Sequence, residues 1–222
     1  VFGVVSLGVY GIMIGAWASN NKYSLMGGLR AASQIISYEL AMVISIIALL
    51  MFTGTLSLKE MVLQQQAGHW NIIYQPLGFL IFLICAFAEC NRTPFDLAEA
   101  ESELIGGYHT EYSSMKLGFY LFAEYINMFI SSAVMASLYF GGYDVPFFNE
   151  AAHADWGNWL ALIGIAAFMF KIIIFIFIFM LVRWTVPRFR YDQLMHLGWR
   201  ILIPLSLFNM LATGGTILYF GK

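Results

Sequence analysis

The sequence predicts an all-α integral membrane protein, on three observations. Of its 222 residues, 60% are hydrophobic and 11% charged, a composition unlike that of a soluble domain. Six apolar stretches approach the roughly 20 residues a helix needs to cross a hydrocarbon core about 30 Å thick: 1–18, 31–58, 70–88, 117–140, 159–182 and 201–220. The cations, finally, are sorted by location. With the six spans alternating, the loops around 19–30, 89–116 and 183–200 fall on one side and hold Lys22, Arg30, Arg92, Lys116, Arg183, Arg188, Arg190 and Arg200. The other side holds only Lys59 and Lys222. That bias places the first set of loops in the cytoplasm or its organelle equivalent. Because all the connections are short, residues 1–222 read as a single helical bundle domain.

Taken in order, the first stretch opens at Val1 inside an apolar run, with no positive leader and no small-residue cleavage site. A signal peptide is excluded, and further spans are expected to precede this one. The second stretch, AASQIISYELAMVISIIALL, holds Glu39 eight residues beyond Ala31, about 12 Å into its helix. A connector over 59–70 leads to the third stretch.

The next segment is unlike the rest of the chain. From Ala88, the 38 residues AECNRTPFDLAEAESELIGGYHTEYSSMKLGFYLFAEY hold seven of the 13 carboxylates: Glu89, Asp96, Glu99, Glu101, Glu103, Glu111 and Glu124. Within the loop 89–116, Thr93 can cap a helix whose first position suits Pro94, and Gly106 and Gly107 can end it. The sequence thus predicts a short acidic helix near the membrane surface, with Asp96, Glu99 and Glu103 on one face and Glu101 turned elsewhere. A freely solvated acidic helix would have the same spacing, but the apolar sequence on both sides leaves little room for one.

The fourth stretch holds Glu124, eight residues beyond Lys116 and about 12 Å into its helix. After a connector over 141–157, the fifth holds Lys171, twelve residues before Arg183 and about 18 Å deep. A charge at such depth costs a few kcal/mol on insertion scales, so it faces a partner or a watery cavity. For Lys171, a counter-charge that fixes helix packing and a part in transport fit equally well.

Crowded acids at a membrane boundary repel one another and lose solvation, and both effects raise a carboxylate pKa toward neutrality. There a carboxylate can take and release a proton. Glu39 and Glu124, at matching depth on helices that flank the acidic loop, suggest a lateral line of protonatable groups. It conducts only where neighbours lie within hydrogen-bond reach, directly or through water.

Other chemistries find little support. Cys85 and Cys90, five apart with no CxxC, read as packing cysteines. His69, His109, His153 and His196 form no ligand cluster, so no metal site is expected. The sequence offers no phosphate-binding glycine loop and no Ser/His/Asp arrangement. It has no long internal repeat of the kind that builds many transporters.

Three blocks, GLRAASQIISYEL, the acidic stretch with LFAEY, and PRFRYDQLMHLGWRILIPLSL, resemble the H-subunit family of NADH-quinone oxidoreductase, respiratory complex I, and its relative, mitochondrial NADH dehydrogenase subunit 1. Cys90 between Glu89 and Asn91, and Ala98 after the FDL, look like small substitutions within the family pattern. Two further spans precede this region in the family, and they contribute to the quinone entrance. The resemblance implies a protein that joins the membrane arm to the hydrophilic arm, lines part of the quinone chamber and begins the proton path. It implies that Glu39, Glu89, Glu101, Glu103, Glu111 and Glu124 belong to that path, with Asp96 and Glu99 acting beside them. It places Arg92 near the quinone chamber and Arg30 at the cytoplasmic end of the Glu39 helix. Quinone would be the substrate of the whole complex, and FMN and iron–sulfur clusters would sit in partner subunits, because two cysteines and four scattered histidines cannot hold a redox centre here. The expected location is the bacterial inner membrane, with the mitochondrial inner membrane as the alternative.

Two readings compete. A membrane subunit of an energy-converting hydrogenase or formate hydrogenlyase would look similar, but the continuous acidic block and the match through PRFRYDQLMHLGW favour the quinone enzyme. A structural membrane anchor, a reading of another class, leaves the acids inside spans unexplained.

Overall fold

The computed structural model describes residues 2–97, 105–145 and 157–220. Among these residues all regular structure is helical. Helices α1 (Phe2–Val5) and α2 (Leu7–Ala18) meet at Ser6. The 32-residue α3 (Lys22–Thr53) follows, then α4 (Leu58–Ala67), α5 (Asn71–Tyr74) and α6 (Pro76–Glu89). After a single 3₁₀ turn at Gly107–His109 come α7 (Ser114–Tyr139), α8 (Gly157–Thr185), α9 (Tyr191–His196), a π-helical turn over Leu197–Leu202, and α10 (Ile203–Phe220).

Among the described residues, four segments are long and apolar enough to cross a membrane: Lys22–Thr53, Ser114–Tyr139, Ala161–Thr185 and Tyr191–Tyr219. Gly3–Ala18 and Pro76–Glu89 are apolar but shorter. All six expected stretches are therefore helical, with altered boundaries. The second starts at Lys22 rather than Ala31, because the Asn21 side chain accepts the Tyr23 N–H at 3.0 Å and caps the helix there. It ends where Gly54 takes a left-handed φ of 69°, the conformation that stops helices most cheaply at glycine. The third stretch is interrupted at Gln75, whose φ of −132° and ψ of 62° leave the helical region. Pro76 explains the break: its ring disfavours helical geometry in the residue before it. The connector over 59–70 is itself largely helical, with Met61, Val62 and Gln65 buried.

The acidic helix expected from Pro94 does not begin within 94–97. Residues 92–97 run through turns, with the Phe95 N–H donating to the Arg92 carbonyl at 2.8 Å. The remainder of that expected helix, 98–104, lies outside the described residues.

The long α3 organises the bundle. Tyr38, Met42 and Leu49 on it join Ile81, Phe82 and Cys85 of α6 and Met135 and Tyr139 of α7 in one core. Gly27 and Gly28 let neighbours approach closely. A Cβ at Gly27 would stand 2.8 Å from the Tyr108 backbone nitrogen, and one at Gly28 would collide with the Ala16 side chain. Outside the core, α8 exposes Ile165, Phe170, Ile173 and Phe177, the all-round apolar surface of a helix in lipid or against other membrane helices.

Candidate functional site

Three loops distant in sequence meet at one end of the bundle. Asn21 Nδ2 donates to Glu111 Oε1 at 2.7 Å, Ser24 Oγ to the Tyr108 carbonyl at 2.7 Å, and the Phe189 N–H to the Pro94 carbonyl at 3.2 Å. These are the loops that the cation bias assigns to one side. At the far end, Trp70 Nε1 donates to Asp144 Oδ2 at 3.0 Å, joining the other connectors.

At the acid-loop end Gln34 of α3, fully buried, fixes the start of the acidic segment. Its Nε2 donates to the carbonyls of Ala88 at 2.9 Å and Phe95 at 2.8 Å, and lies 3.4 Å from Asn91 Oδ1. The turn is clamped from the other side by aromatic rings: Phe95 packs on Tyr38 and Phe189, with ring centroids 5.5 and 5.6 Å away. Glu89 and Arg92 are thereby held on a rigid stretch of backbone.

Arg92 turns inward. Its guanidinium lies 2.9 Å from Glu124 Oε2 on α7, with both side chains buried, and 4.7 Å above the Tyr125 ring. The Tyr108 hydroxyl donates to Glu124 Oε1 at 3.3 Å. The Glu124 carboxylate thus meets a cation on one oxygen and a hydroxyl donor on the other. Beside this pair lies a cavity of about 250 Å³ lined by Glu89, Asn91, Tyr108, Tyr120, Glu124 and Asn127, with apolar residues of α2 closing it. Glu89, Asn91, Glu124 and Asn127 give this otherwise apolar cavity polar partners that water can bridge. Glu89 is near enough to Glu39 for their charges to repel, and its buried Oε2 has no hydrogen-bond partner among the described residues. Glu39, half-buried on α3, accepts a hydrogen bond from Ser6 at the junction of α1 and α2. Glu89 and Glu124 therefore line one chamber between α2, α3, α6 and α7, with Arg92 paired to Glu124 and Glu39 near Glu89.

The other expected site residues stand elsewhere. Glu111 is exposed and held by Asn21. Asp96 is half-buried on the turn, and the Arg30 guanidinium lies 5.9 Å over the Tyr191 ring. Glu99, Glu101 and Glu103 lie outside the described residues. Lys171 is far from the chamber: its ammonium donates to the carbonyls of Phe140 at 2.7 Å, Gly142 at 3.0 Å and Asp144 at 2.5 Å. It thus meets carbonyls that follow the end of α7, where a cation is favoured by the helix dipole.

Sequence reasoning passed over Gln34, Ser6 and Tyr108. The available signal was an uncharged polar side chain inside an apolar run, Gln34 above all. Its partners lie more than fifty residues along the chain, where no spacing rule reaches.

The sequence matches the family model described as NADH dehydrogenase over residues 1–214. It is 67% identical to the H subunit 1 of NADH-quinone oxidoreductase from Cytophaga hutchinsonii over 220 residues, 99% of this chain and 64% of that protein. Identity to the NADH-quinone oxidoreductase H subunit of Flavobacterium psychrophilum is also 67%, over 99% of this chain and 64% of the relative. For the corresponding protein of Deinococcus deserti it is 49%, over 99% of this chain and 55% of that protein. The chain thus spans less than two thirds of the length of these relatives. It belongs to the NADH dehydrogenase family, among the H subunits of NADH-quinone oxidoreductase.

Proposed function

We propose that this chain is part of the membrane subunit of a proton-pumping NADH-quinone oxidoreductase in a bacterial plasma membrane, and that its polar chamber begins the path by which quinone reduction drives protons. The observation that carries this reading is that Glu89 and Glu124 line one cavity beside the buried cation Arg92, with Glu39 near enough to Glu89 for their charges to repel. The partners would be the other membrane-arm and peripheral-arm subunits of that complex. Electrons would arrive from those subunits, which hold FMN and iron–sulfur clusters, and this chain would supply walls, charge and a proton route.

The chemistry follows from charge balance. A proton entering the chamber goes first to Glu89, whose ionised form is opposed by burial and by the neighbouring Glu39. Taking it up removes the repulsion between the two acids, and water in the cavity would bridge Glu89 to Glu124. A change in charge at the turn 92–97 acts on the Arg92–Glu124 pair, which that turn positions. Asp96, Glu99, Glu101 and Glu103 would feed this cluster, Arg30 would balance charge near it, and Glu111 would stand at its surface mouth.

Arg92→Ala tests the reading in the purified complex. Quinone reduction is expected to fall at least tenfold while assembly persists, since a chamber of acids without its cation takes up a proton and stays neutral. Unchanged quinone kinetics in a fully assembled Arg92→Ala complex would reduce the pair to a packing contact.

A further inference from the structure

Two tyrosines stand between the chamber and the acid-loop surface. Tyr112 lines an open surface pocket of about 670 Å³ together with Ser19, Glu111, Ser114 and Lys116. Tyr120, early in α7, lines the chamber with Glu89 and Glu124. Both tyrosines are half-buried, their ring centroids lie 5.2 Å apart, and their hydroxyls are hydrogen-bonded to each other. The Tyr112 hydroxyl donates to the Gly15 carbonyl of α2 at 2.8 Å, so the hydrogen shared between the two comes from Tyr120. Gly15 makes this meeting possible: a Cβ there would collide with Tyr120 Oη and stand 3.3 Å from Tyr112 Oη. The Tyr120 ring also packs against Tyr108 at 5.3 Å, whose hydroxyl donates to Glu124. A continuous aromatic stack thus runs from the surface pocket to the buried acid, with a hydroxyl pair at its outer end.

Resting on the reading of the chamber as the start of a proton path, we propose that Tyr112 and Tyr120 are its proton entry, passing each proton inward through their paired hydroxyls. A phenol suits this place because its oxygen accepts a proton while giving up its own hydrogen. It is also neutral at physiological pH, so half-burying it costs less than half-burying a carboxylate. Rotation of both hydroxyls about their C–O bonds turns the Tyr112 hydrogen from the Gly15 carbonyl to Tyr120, and the Tyr120 hydrogen into the chamber. A proton from water in the surface pocket then goes to Tyr112 Oη, the Tyr112 hydrogen goes to Tyr120 Oη, and the Tyr120 hydrogen goes to water beside Glu89. Each hydroxyl gains one proton and loses one, so neither is left charged, and rotation back restores the starting arrangement. Glu111, whose carboxylate is held by Asn21, stands beside this relay and outside it.

The test compares Tyr112→Phe, Tyr120→Phe and the double variant in the intact complex, in sealed vesicles. Phenylalanine keeps the ring contacts and removes only the hydroxyl. Each single variant is expected to slow proton-coupled turnover roughly tenfold, with the KM for quinone unchanged and the loss growing as pH rises on the cytoplasmic face. The double variant should be no slower than either single one, because both hydroxyls serve one route. Normal turnover in the assembled single variants would overturn the relay, and so would losses that multiply in the double variant. Should Tyr120→Phe fail to assemble, Tyr112→Phe decides by the same turnover and pH readouts. Glu124→Gln, measured in parallel, separates this entry from the chamber itself. A lowered proton-to-electron ratio there, with normal tyrosine variants, discards the entry alone; normal behaviour in all of them discards the chamber as a proton path as well.

Discussion

Arg92 and Lys171 are equally buried, at 8% exposure each, yet the groups that meet them differ in kind. Arg92 faces the carboxylate of Glu124, a group that gains and loses a proton. Lys171 is bound by three backbone carbonyls that follow the end of α7, which titrate at no accessible pH, while the Asp144 carboxylate near it is held by Trp70 and makes no direct bond to the ammonium. The same helix α7 thus joins both: its acid-loop end carries a charge pair that chemistry can alter, and its far end is held by one that it cannot. Gln65 and Asn71 reinforce the fixed end, donating to the carbonyls of Ser137 and Leu138.

The largest effect expected from breaking this contrast lies at the fixed end. Lys171→Met leaves three carbonyls without their donor, at about 1–3 kcal/mol for each buried group left unsatisfied. The amount of assembled complex on a native gel should fall at least tenfold. Normal assembly with lost proton transport would move Lys171 from the scaffold into the proton path.

Next in size is Gln34→Leu. The variant keeps the volume of the side chain but frees the carbonyls of Ala88 and Phe95, so Glu89 and Arg92 lose their common anchor. Turnover should drop several-fold in an assembled complex, with faster amide hydrogen exchange over residues 88–97. Unchanged exchange there would show that the aromatic clamp of Tyr38, Phe95 and Phe189 is sufficient alone. The smallest effect belongs to Glu111→Gln. This residue is exposed and bonded to Asn21 through a contact that glutamine preserves, so turnover should change less than twofold. A large loss would place Glu111 inside the path, as the family resemblance implies.

Much of this contrast could be read from residue order. The six apolar stretches are helical, and Glu124, placed within its helix by residue count, lines the cavity. That agreement arises because helical rise is fixed and local. The break at Gln75 had a local cause too, Pro76, but a long apolar run conceals a one-residue interruption. The role of Lys171 was hidden for a different reason. Its partners are backbone carbonyls, which every residue has, so nothing in the chain marks them as ligands. The pairing of Arg92 with Glu124 rather than with the nearer Glu89 is set by where α6 ends and which way the turn at Pro94 leads, and both depend on tertiary contacts with Gln34 and Phe189. At the acidic loop, Thr93 and Pro94 offered the chemistry of a helix start, yet the hydrogen bond from Phe95 to Arg92 and the bond from Phe189 to Pro94 hold those residues in a turn. Local preference lost there to the packing around it.

The central claim is that Glu124 exchanges protons, and that its contact with Arg92 is more than structural. Glu124→Gln keeps the size of the side chain and one oxygen that can accept from Arg92 or from Tyr108, but removes the acid. The decisive measurement is the ratio of protons translocated to electrons transferred by the variant complex in sealed vesicles. The account predicts an assembled complex with a lowered ratio and slowed turnover, partly restored by Glu124→Asp. A normal ratio at normal turnover in Glu124→Gln would contradict it.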